Sequence, residues 1–462
     1  MLIPRFALSQ DSKTLTITLL AHHCKLGELD VEVNENCFLF SCWPYYLRLT
    51  LPGNIIDDEK TKAAYDTDTG EFTFCYTKAI EGEIFEDLDF ITKFLVKKVD
   101  VSYGFEADDK KITMLSGDGV EEEGVACTDL SHILNSGFGF ALLGGTHFKS
   151  LHTEYFDVFE VDPFKVNLQD RHILRMKNEG LKFNVDHYLC DLLEPDEIEE
   201  IIKQVAPWEN LETSTLIFTN KELDFLKDLP NKVYNLSSIQ INFLHNTLID
   251  ILYAYCYNQR TTYYEENSEA GWNVVKLSAS LSWLDVFETP RETLVSSFRR
   301  SLIYPLYRNF NLSEKILVDM KKLLSLGEKF IIKCLIEIYY IFLNGDCCRY
   351  ILNKLFIKDY INYVMKWDKN KWQEYLQDVF SIDIKKADLG LNLLDLEQHM
   401  LLEQPMAKLE IRDDDSDDSS ETDETSETDT SDTDDISDDE GLDDSSRKAN
   451  ELNVGNKLHA DV

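Results

Sequence analysis

Thr14-Leu15-Thr16-Ile17-Thr18-Leu19-Leu20 alternates hydroxyl and aliphatic side chains with a period of two. In a strand this sends Leu15, Ile17 and Leu19 to one face and the threonines to the other. The same period runs outward from that stretch. Val31 and Val33 follow, then Phe38 and Phe40, then Leu47, Leu49 and Leu51 against Tyr46, Arg48 and Thr50, and finally Phe72, Phe74 and Tyr76. Short polar or Gly/Pro breaks at His22–Gly27, Asn34–Asn36 and Pro52-Gly53 separate the runs. Five or six half-buried antiparallel strands divided in this way predict a compact β-sandwich over residues 1–95. No segment of helical period interrupts them.

Beyond the sandwich the pattern weakens. Residues 96–165 mix short apolar runs with acidic and glycine-rich pieces such as Ser116–Gly124 and Gly137–Gly145, and read as a linker or docking segment. From Leu168 the period becomes 3.6: Leu244, Leu248, Ile251, Leu252 and Tyr255 share one helical face, as do Ile331, Cys334, Leu335, Ile338 and Phe342. These are amphipathic helices. With further helical stretches near 170–204, 272–287, 291–303, 313–326 and 347–366, residues 166–400 are expected to form an all-α domain of eight to ten helices. Gly327 and Asn344-Gly345 are placed to cap or turn between them.

Residues 401–462 are a different kind of chain. From Asp413 to Asp444 there are 18 carboxylates and no cation, with almost nothing apolar, so ordering this tail would cost more entropy than burial returns. A disordered acidic tail is expected. Ser420, Ser426, Ser431 and Ser437 each carry an acidic residue at +3, the pattern read by acid-directed kinases. The acidity is not confined to the tail: 85 Asp and Glu against 46 Lys and Arg give −39 over 462 residues, and without residues 413–444 the balance is 67 − 46, or −21. Such a body repels phosphate, which argues against direct nucleic-acid binding and for a basic protein partner.

Classes of chemistry can be tested against the remaining residues. Gly117-Asp-Gly119, Gly137-Phe-Gly139 and Gly144-Gly145 lack both the P-loop pattern and a GxGxxG that opens a helix, so no nucleotide cradle is read. His22-His23-Cys24 has no second ligand pair at a metal-binding spacing and reads as a turn. Cys37 and Cys42, an odd number of residues apart on one strand, point to opposite faces as packing residues. No GxSxG and no Cys/His signature occurs, and the carboxylate runs Asp57-Asp58-Glu59 and Glu86-Asp87-Leu88-Asp89 read as solvated faces. No cofactor, metal or catalytic residue is expected. Ten cysteines without a CxxC pair indicate a reducing compartment. The absence of a signal-like or membrane-spanning run gives a soluble cytosolic or nuclear protein with no membrane partner.

Several strings resemble one family. Cys42-Trp-Pro-Tyr-Tyr-Leu-Arg-Leu-Thr-Leu-Pro52, Ile56-Asp-Asp-Glu59 and Phe85-Glu-Asp-Leu-Asp-Phe-Ile-Thr-Lys-Phe-Leu95 look like the N-terminal CS domain of the Shq family. Asp170-Arg171 to Phe183 with Asp186-His-Tyr188, Gly271-Trp-Asn-Val-Val-Lys-Leu277 with Trp283-Leu-Asp285, and Arg299-Arg-Ser-Leu-Ile-Tyr-Pro-Leu-Tyr-Arg-Asn309 resemble its specific helical domain in the same order. The resemblance implies a non-enzymatic assembly chaperone of box H/ACA ribonucleoproteins, which holds the pseudouridine synthase dyskerin on its RNA-binding surface as an RNA mimic. It also implies release by an AAA+ ATPase remodelling complex and a nuclear, nucleoplasmic location; a monomer is expected. The family's central Tyr-Gly-Phe element corresponds either to Tyr103-Gly-Phe105 or to Gly137-Phe-Gly-Phe140.

Residues expected to meet a partner are Trp272, Lys276, Tyr304, Tyr307, Arg308 and Asn309 in the helical half and Tyr46 and Arg48 on the sandwich. Each has a plainer use. Pro305 must break a helix, and its flanking aromatics then pack the corner; Trp272 and Trp283 fit a core; Tyr46 and Arg48 fit a solvated sheet face; Arg299 and Arg300 fit internal ion pairs. A co-chaperone of the ninety-kilodalton heat-shock chaperone and an acidic histone chaperone are the alternatives. Because the tail offers charge without shape, its deletion should lower the association rate with a basic client at low ionic strength. The dissociation rate should hardly change, and the difference should fade as the Debye length falls to about 8 Å, as stopped-flow binding across a salt series will measure.

Overall fold

The computed structural model describes residues 2–59, 61–96, 99–103, 137–144, 158–345 and 348–410. The tail serines Ser420, Ser426, Ser431 and Ser437, and most of the glycine-rich linker, lie outside them. The chain divides into two compact units, Met1–Gln404 and Pro405–Val462.

The alternating runs form two antiparallel sheets, the expected CS-type sandwich. One sheet has the order β1 (Arg5–Gln10), β2 (Thr14–Leu20), β8 (Glu71–Lys78), with β6 (Ile55–Ile56) and β7 (Lys62–Asp66) sharing the far edge of β8. The other is β3 (Asp30–Asn34), β4 (Cys37–Cys42), β5 (Tyr45–Thr50). Leu15, Ile17, Leu19, Phe38, Phe40, Leu47, Leu49, Phe72 and Phe74 are buried, and Phe40 meets Phe72 edge-on at 5.2 Å between ring centres. Cys42 is buried and Cys37 half-buried, so the two do lie on opposite faces.

The helical body begins with α1 (Leu168–Lys182), α2 (Val185–Leu193) and α3 (Asp196–Lys203), three helices where one long stretch was read. The division is local: the Asn184 side chain caps α2 by accepting from the His187 N–H, and Pro195 precedes α3. After α4 (Asn220–Asp228) comes a strand that helical periodicity did not foretell, β10 (Asn231–Asn235). It pairs in parallel with β9 (Val99–Tyr103), so a piece of the segment read as linker forms sheet with the helical half. Then follow α5 (Ser238–Thr261), α6 (Ala270–Leu277), α7 (Ala279–Ser282), α8 (Pro290–Ser301), α9 (Phe310–Ser325), α10 (Glu328–Asn344), α11 (Tyr350–Leu352), a π-helical turn at Asn353–Ile357, α12 (Lys358–Val364), α13 (Lys369–Ser381) and α14 (Leu393–Glu410). These helices are shorter and more numerous than the expected eight to ten.

α5 corrects a second expectation. Leu244–Arg260 is buried without interruption, so this helix is a central axis rather than an amphipathic surface helix. Asp250 and Asn246 find their partners inside the body. Asp250 accepts from the Ser278 hydroxyl at 2.6 Å, the Ser280 N–H at 2.9 Å and the Ser297 hydroxyl at 3.1 Å, while burial pushes its carboxyl pKa up. The Tyr375 hydroxyl donates to Asn246 at 2.7 Å.

The sandwich is sewn to this body. The Arg5 guanidinium forks onto Asp224 of α4, and the Thr92 hydroxyl donates to the Leu226 carbonyl at 2.8 Å in a buried contact. Asp87 receives Lys93 at 2.6 Å and Lys369 of α13 at 2.7 Å; Asp89 pairs with Lys329 of α10. The Gly137–Leu142 piece docks as well: Phe140 packs against Tyr234, Tyr360 and Tyr363 with ring centres 4.8 to 5.8 Å away. Gly139 has φ +78, and a Cβ there would stand 3.2 Å from the Leu355 carbonyl oxygen, so the turn favours glycine twice over. Among the described residues the docked element is therefore Gly137–Phe140; Gly104 and Phe105 lie outside them.

His245 packs among Tyr363, Trp367, Trp372 and Tyr375, and burial pushes its pKa down to about 4 from 6.5. The unfolded chain takes up this proton first, so the stability contribution is full above pH 6.5 and is lost as pH falls toward 4. Between pH 7 and pH 5 this group alone should cost about 2 kcal/mol. Urea unfolding at the two pH values should show that loss in the native chain and a much smaller one in His245→Phe.

Candidate interaction surface

The polypeptide from Arg299 to Asn309, which carries most of the predicted site residues, is a helix end, a corner and a helix start. α8 stops at Ser301, and Pro305 is buried in the turn, as its ring requires a break there. Asn309 then caps α9, accepting from the Asn311 and Leu312 N–H groups at 2.9 and 3.2 Å, and is 6% exposed. This removes Asn309 from the surface set: its side chain is spent on the cap.

Beneath the corner lies a buried ionic hub. Glu179 of α1 accepts from Arg175 at 2.9 Å and Arg300 at 2.7 Å on one oxygen, and from Arg299 at 2.9 Å on the other. Arg175 also donates to Asp285 at 2.8 Å, with His172 Nδ1 3.1 Å from the same oxygen. Burial alone would raise the Glu179 carboxyl, but the Arg175 and Arg300 charges overrule it and hold the pKa below the ordinary value. Arg171 is solvated only by carbonyls, those of Val166, Gly137, Leu284 and Pro163, and burial lowers its pKa to about 10. Arg299 and Arg300 thus do pair internally.

Above the hub, Tyr304 is half-buried, with Arg300 4.6 Å and Lys182 5.3 Å from its ring centre. Lys276 pairs with Glu160, which also holds Lys182 at 3.5 Å, so the predicted Lys276 and Tyr304 share one neighbourhood. Trp272 is half-buried one helical turn before Lys276 on α6; Trp283 is 4% exposed and belongs to the core. Tyr307 donates its hydroxyl to Glu197 at 2.5 Å, and its carbonyl accepts from Tyr257 at 2.6 Å. Burial and then the Glu197 acceptor push the Tyr307 pKa up. The Arg308 N–H donates to Asp191 at 2.5 Å, and the Leu306 carbonyl meets His187 Nε2 at 2.8 Å. The corner is thereby fastened to α2 and α3, while the Leu306 side chain stands 69% exposed.

The two helices to which the corner is tied are acidic in sequence, and Asp191 and Glu197 are the carboxylates that reach it. Residues 185–204 hold seven carboxylates against the single cation Lys203, which pairs with Glu199. Tyr46 and Arg48 do not join this surface: they lie on β5 of the sandwich, Arg48 exposed and Tyr46 half-buried on the outward phase.

One feature escaped the sequence. α1 buries Arg171, Arg175 and Glu179 and turns Ile173, Leu174, Met176 and Leu181 outward. The signal was present as charges at i, i+4 and i+8 on one face, a pattern ordinarily read as solvated. Among the described residues no group of three or more His, Cys, Asp or Glu is disposed to hold a metal, and no helix is long and apolar enough to cross a membrane.

Comparison with known proteins gives two family matches, "SHQ1-like, CS domain" over residues 3–95 and "SHQ1 protein, Shq1 domain" over residues 207–393. The SHQ1 homolog of Xenopus tropicalis is 35% identical over 430 residues, covering 87% of this chain and 70% of its own. That of Mus musculus is 32% identical over 434 residues, covering 87% and 76%, and the shq1 protein of Schizosaccharomyces pombe is 26% identical over 438, covering 87% and 96%.

Glu179→Ala strands three arginines in the interior and should cost about 3–5 kcal/mol in urea unfolding, against a smaller loss for Glu179→Gln, which keeps an acceptor oxygen. A cost below about 1 kcal/mol for the alanine variant would mean that the arginines find other partners.

Proposed function

Because this chain belongs to the SHQ1 family, we propose that it is a non-enzymatic assembly chaperone of box H/ACA ribonucleoproteins that holds the pseudouridine synthase dyskerin before guide RNA joins. What supports the proposal is the corner itself: Leu306 is exposed, and its neighbours Tyr307 and Arg308 are tied to Glu197 and Asp191 on two helices whose residues 185–204 hold seven carboxylates and one lysine. A protein face that binds RNA phosphates is rich in Lys and Arg, and carboxylates on a rigid frame meet it where phosphates would. The apolar side chain at the centre supplies the desolvated contact that charge alone lacks. Occupying that face also keeps a basic client from non-specific RNA and from self-association. Removal by an AAA+ ATPase complex and action in the nucleoplasm as a monomer complete the proposal.

Titration calorimetry of the full chain with dyskerin is the test. Affinity should fall with salt, guide RNA should compete, and Leu306→Asp should weaken binding about tenfold without moving the unfolding midpoint, since that side chain faces water. A ternary complex in which RNA and this chain occupy dyskerin with unchanged affinities would overturn the RNA-mimic assignment.

A further inference from the structure

At the seam between sandwich and helices lies a cleft of about 490 Å³ with a slight excess of cations in its lining. One wall is aromatic: Phe225 of α4 meets Tyr339 and Tyr340 of α10 with ring centres 4.6 and 6.1 Å away, and the two tyrosines are 5.4 Å apart. Three cations reach it, Arg5 from β1, Lys221 from α4 and Lys358 from α12. Asp224 is already held by Arg5 and, at 3.5 Å, by Lys227. Lys221 lies 4.2 Å over the Tyr340 ring and Lys358 5.4 Å over Tyr339, and neither has a carboxylate partner among the described residues. A ring face steadies an ammonium without neutralising it. The lining holds three cations, Arg5, Lys221 and Lys358, against Asp224 and Asp228, a formal +1 in a chain of net charge −39, and its volume is one that ordinarily holds a ligand.

We infer that this cleft docks a short acidic peptide segment of a partner protein, its apolar side chain against Phe225 and Tyr339 and its carboxylates on Lys221 and Lys358. Asp228, which also lines the cleft, fixes the register by repelling a carboxylate placed beside it. Charge decides between peptide and RNA. A polyphosphate carries its charge well past the cleft into the field of an acidic body, whereas a peptide brings a few charges within one Debye length of the two lysines. The site is distinct from the Leu306 corner and independent of the client assigned there.

The probe is a fluorescein-labelled peptide of glutamates around one phenylalanine, titrated by anisotropy with the full chain at low salt. A lysine counterpart and a single-stranded oligouridylate of equal charge are run beside it. Saturable binding of the acidic peptide is expected, weakened at least about tenfold by K221E/K358E, about threefold by K221Q/K358Q and not at all by K177E, whose lysine lies on α1. The glutamine pair removes charge without adding repulsion, so it decides the matter if the glutamate pair melts early. No saturable binding, equal binding by all variants, or preference for the oligouridylate would each overturn the inference.

Discussion

Glu179 is the constraint on which the helical body turns. A carboxylate with no exposed surface carries Arg175 from its own helix and Arg299 and Arg300 from α8, while Arg299 reaches on to the Leu389 carbonyl at 2.7 Å and Arg300 to the Ser282 hydroxyl at 2.8 Å. Each ion has several partners and would be costly with fewer, so the elements that bear them have little freedom to repack. α1 is thereby turned charged face inward. Its aliphatic side chains go outward because the core beneath is ionic, not because the helix lacks a core to join.

The same logic of multiple small ties governs the seam. Strand pairing of β9 with β10, the Arg5 fork, the Thr92 hydroxyl and two lysine–carboxylate pairs each bring a modest gain. Arranged along one face they hold the sandwich against α4, α10 and α13, and Met1–Gln404 behaves as one compact unit. A CS-type sandwich in this chain is accordingly part of the frame that positions the helical surface. The Gly137–Leu142 piece belongs to that frame too, since Arg171 takes the Gly137 carbonyl at 2.9 Å and Gln240 donates to the Ala141 carbonyl at 3.0 Å.

How much of this could be read from residues alone depends on whether a signal was local. The sandwich was legible because a period of two in Leu15, Ile17 and Leu19 is a local fact with one structural meaning when one face is buried. The break at Pro305 was legible for the same reason. The burial of α5 on all sides was not, because Asp250 and Asn246 read as solvent-facing until Ser278, Ser297 and Tyr375, far along the chain, are brought to them. β10 was hidden likewise: Asn231–Asn235 has no strand-forming run of its own and gains its partner from residues 99–103. At the candidate surface, Tyr307 and Arg308 lie half-buried at the corner and bonded to Glu197 and Asp191, while Asn309 is spent on a cap, as an asparagine before Phe310 signals. The tie of the corner to α2 and α3, through His187, Asp191 and Glu197, is a tertiary contact that no spacing announces.

Charge is also sorted between inside and outside. Of the twelve arginines in the sequence, Arg171, Arg175, Arg260, Arg299, Arg300 and Arg349 are buried. The hub sets Arg175, Arg299 and Arg300 against Glu179 and Asp285, a formal balance of +3 − 2, or +1, and Arg171, held by carbonyls alone, adds one more buried cation. Whatever positive charge is locked in the interior is subtracted from the surface, and the outside is then more acidic than the overall count implies. Guanidinium suits this task because its planar fork keeps several directed donors while being less strongly hydrated than an ammonium, which makes it the cation cheapest to bury. Most lysines are left for the rim, where Lys203, Lys276, Lys329 and Lys369 each answer a carboxylate; Lys78, buried on Gln10 and the Asp11 and Glu83 carbonyls, is the exception in the sandwich. Under the proposed function, cations are needed to build the frame and cannot be spent on a contact face made of carboxylates. Placing arginine in the core meets both demands with one residue type.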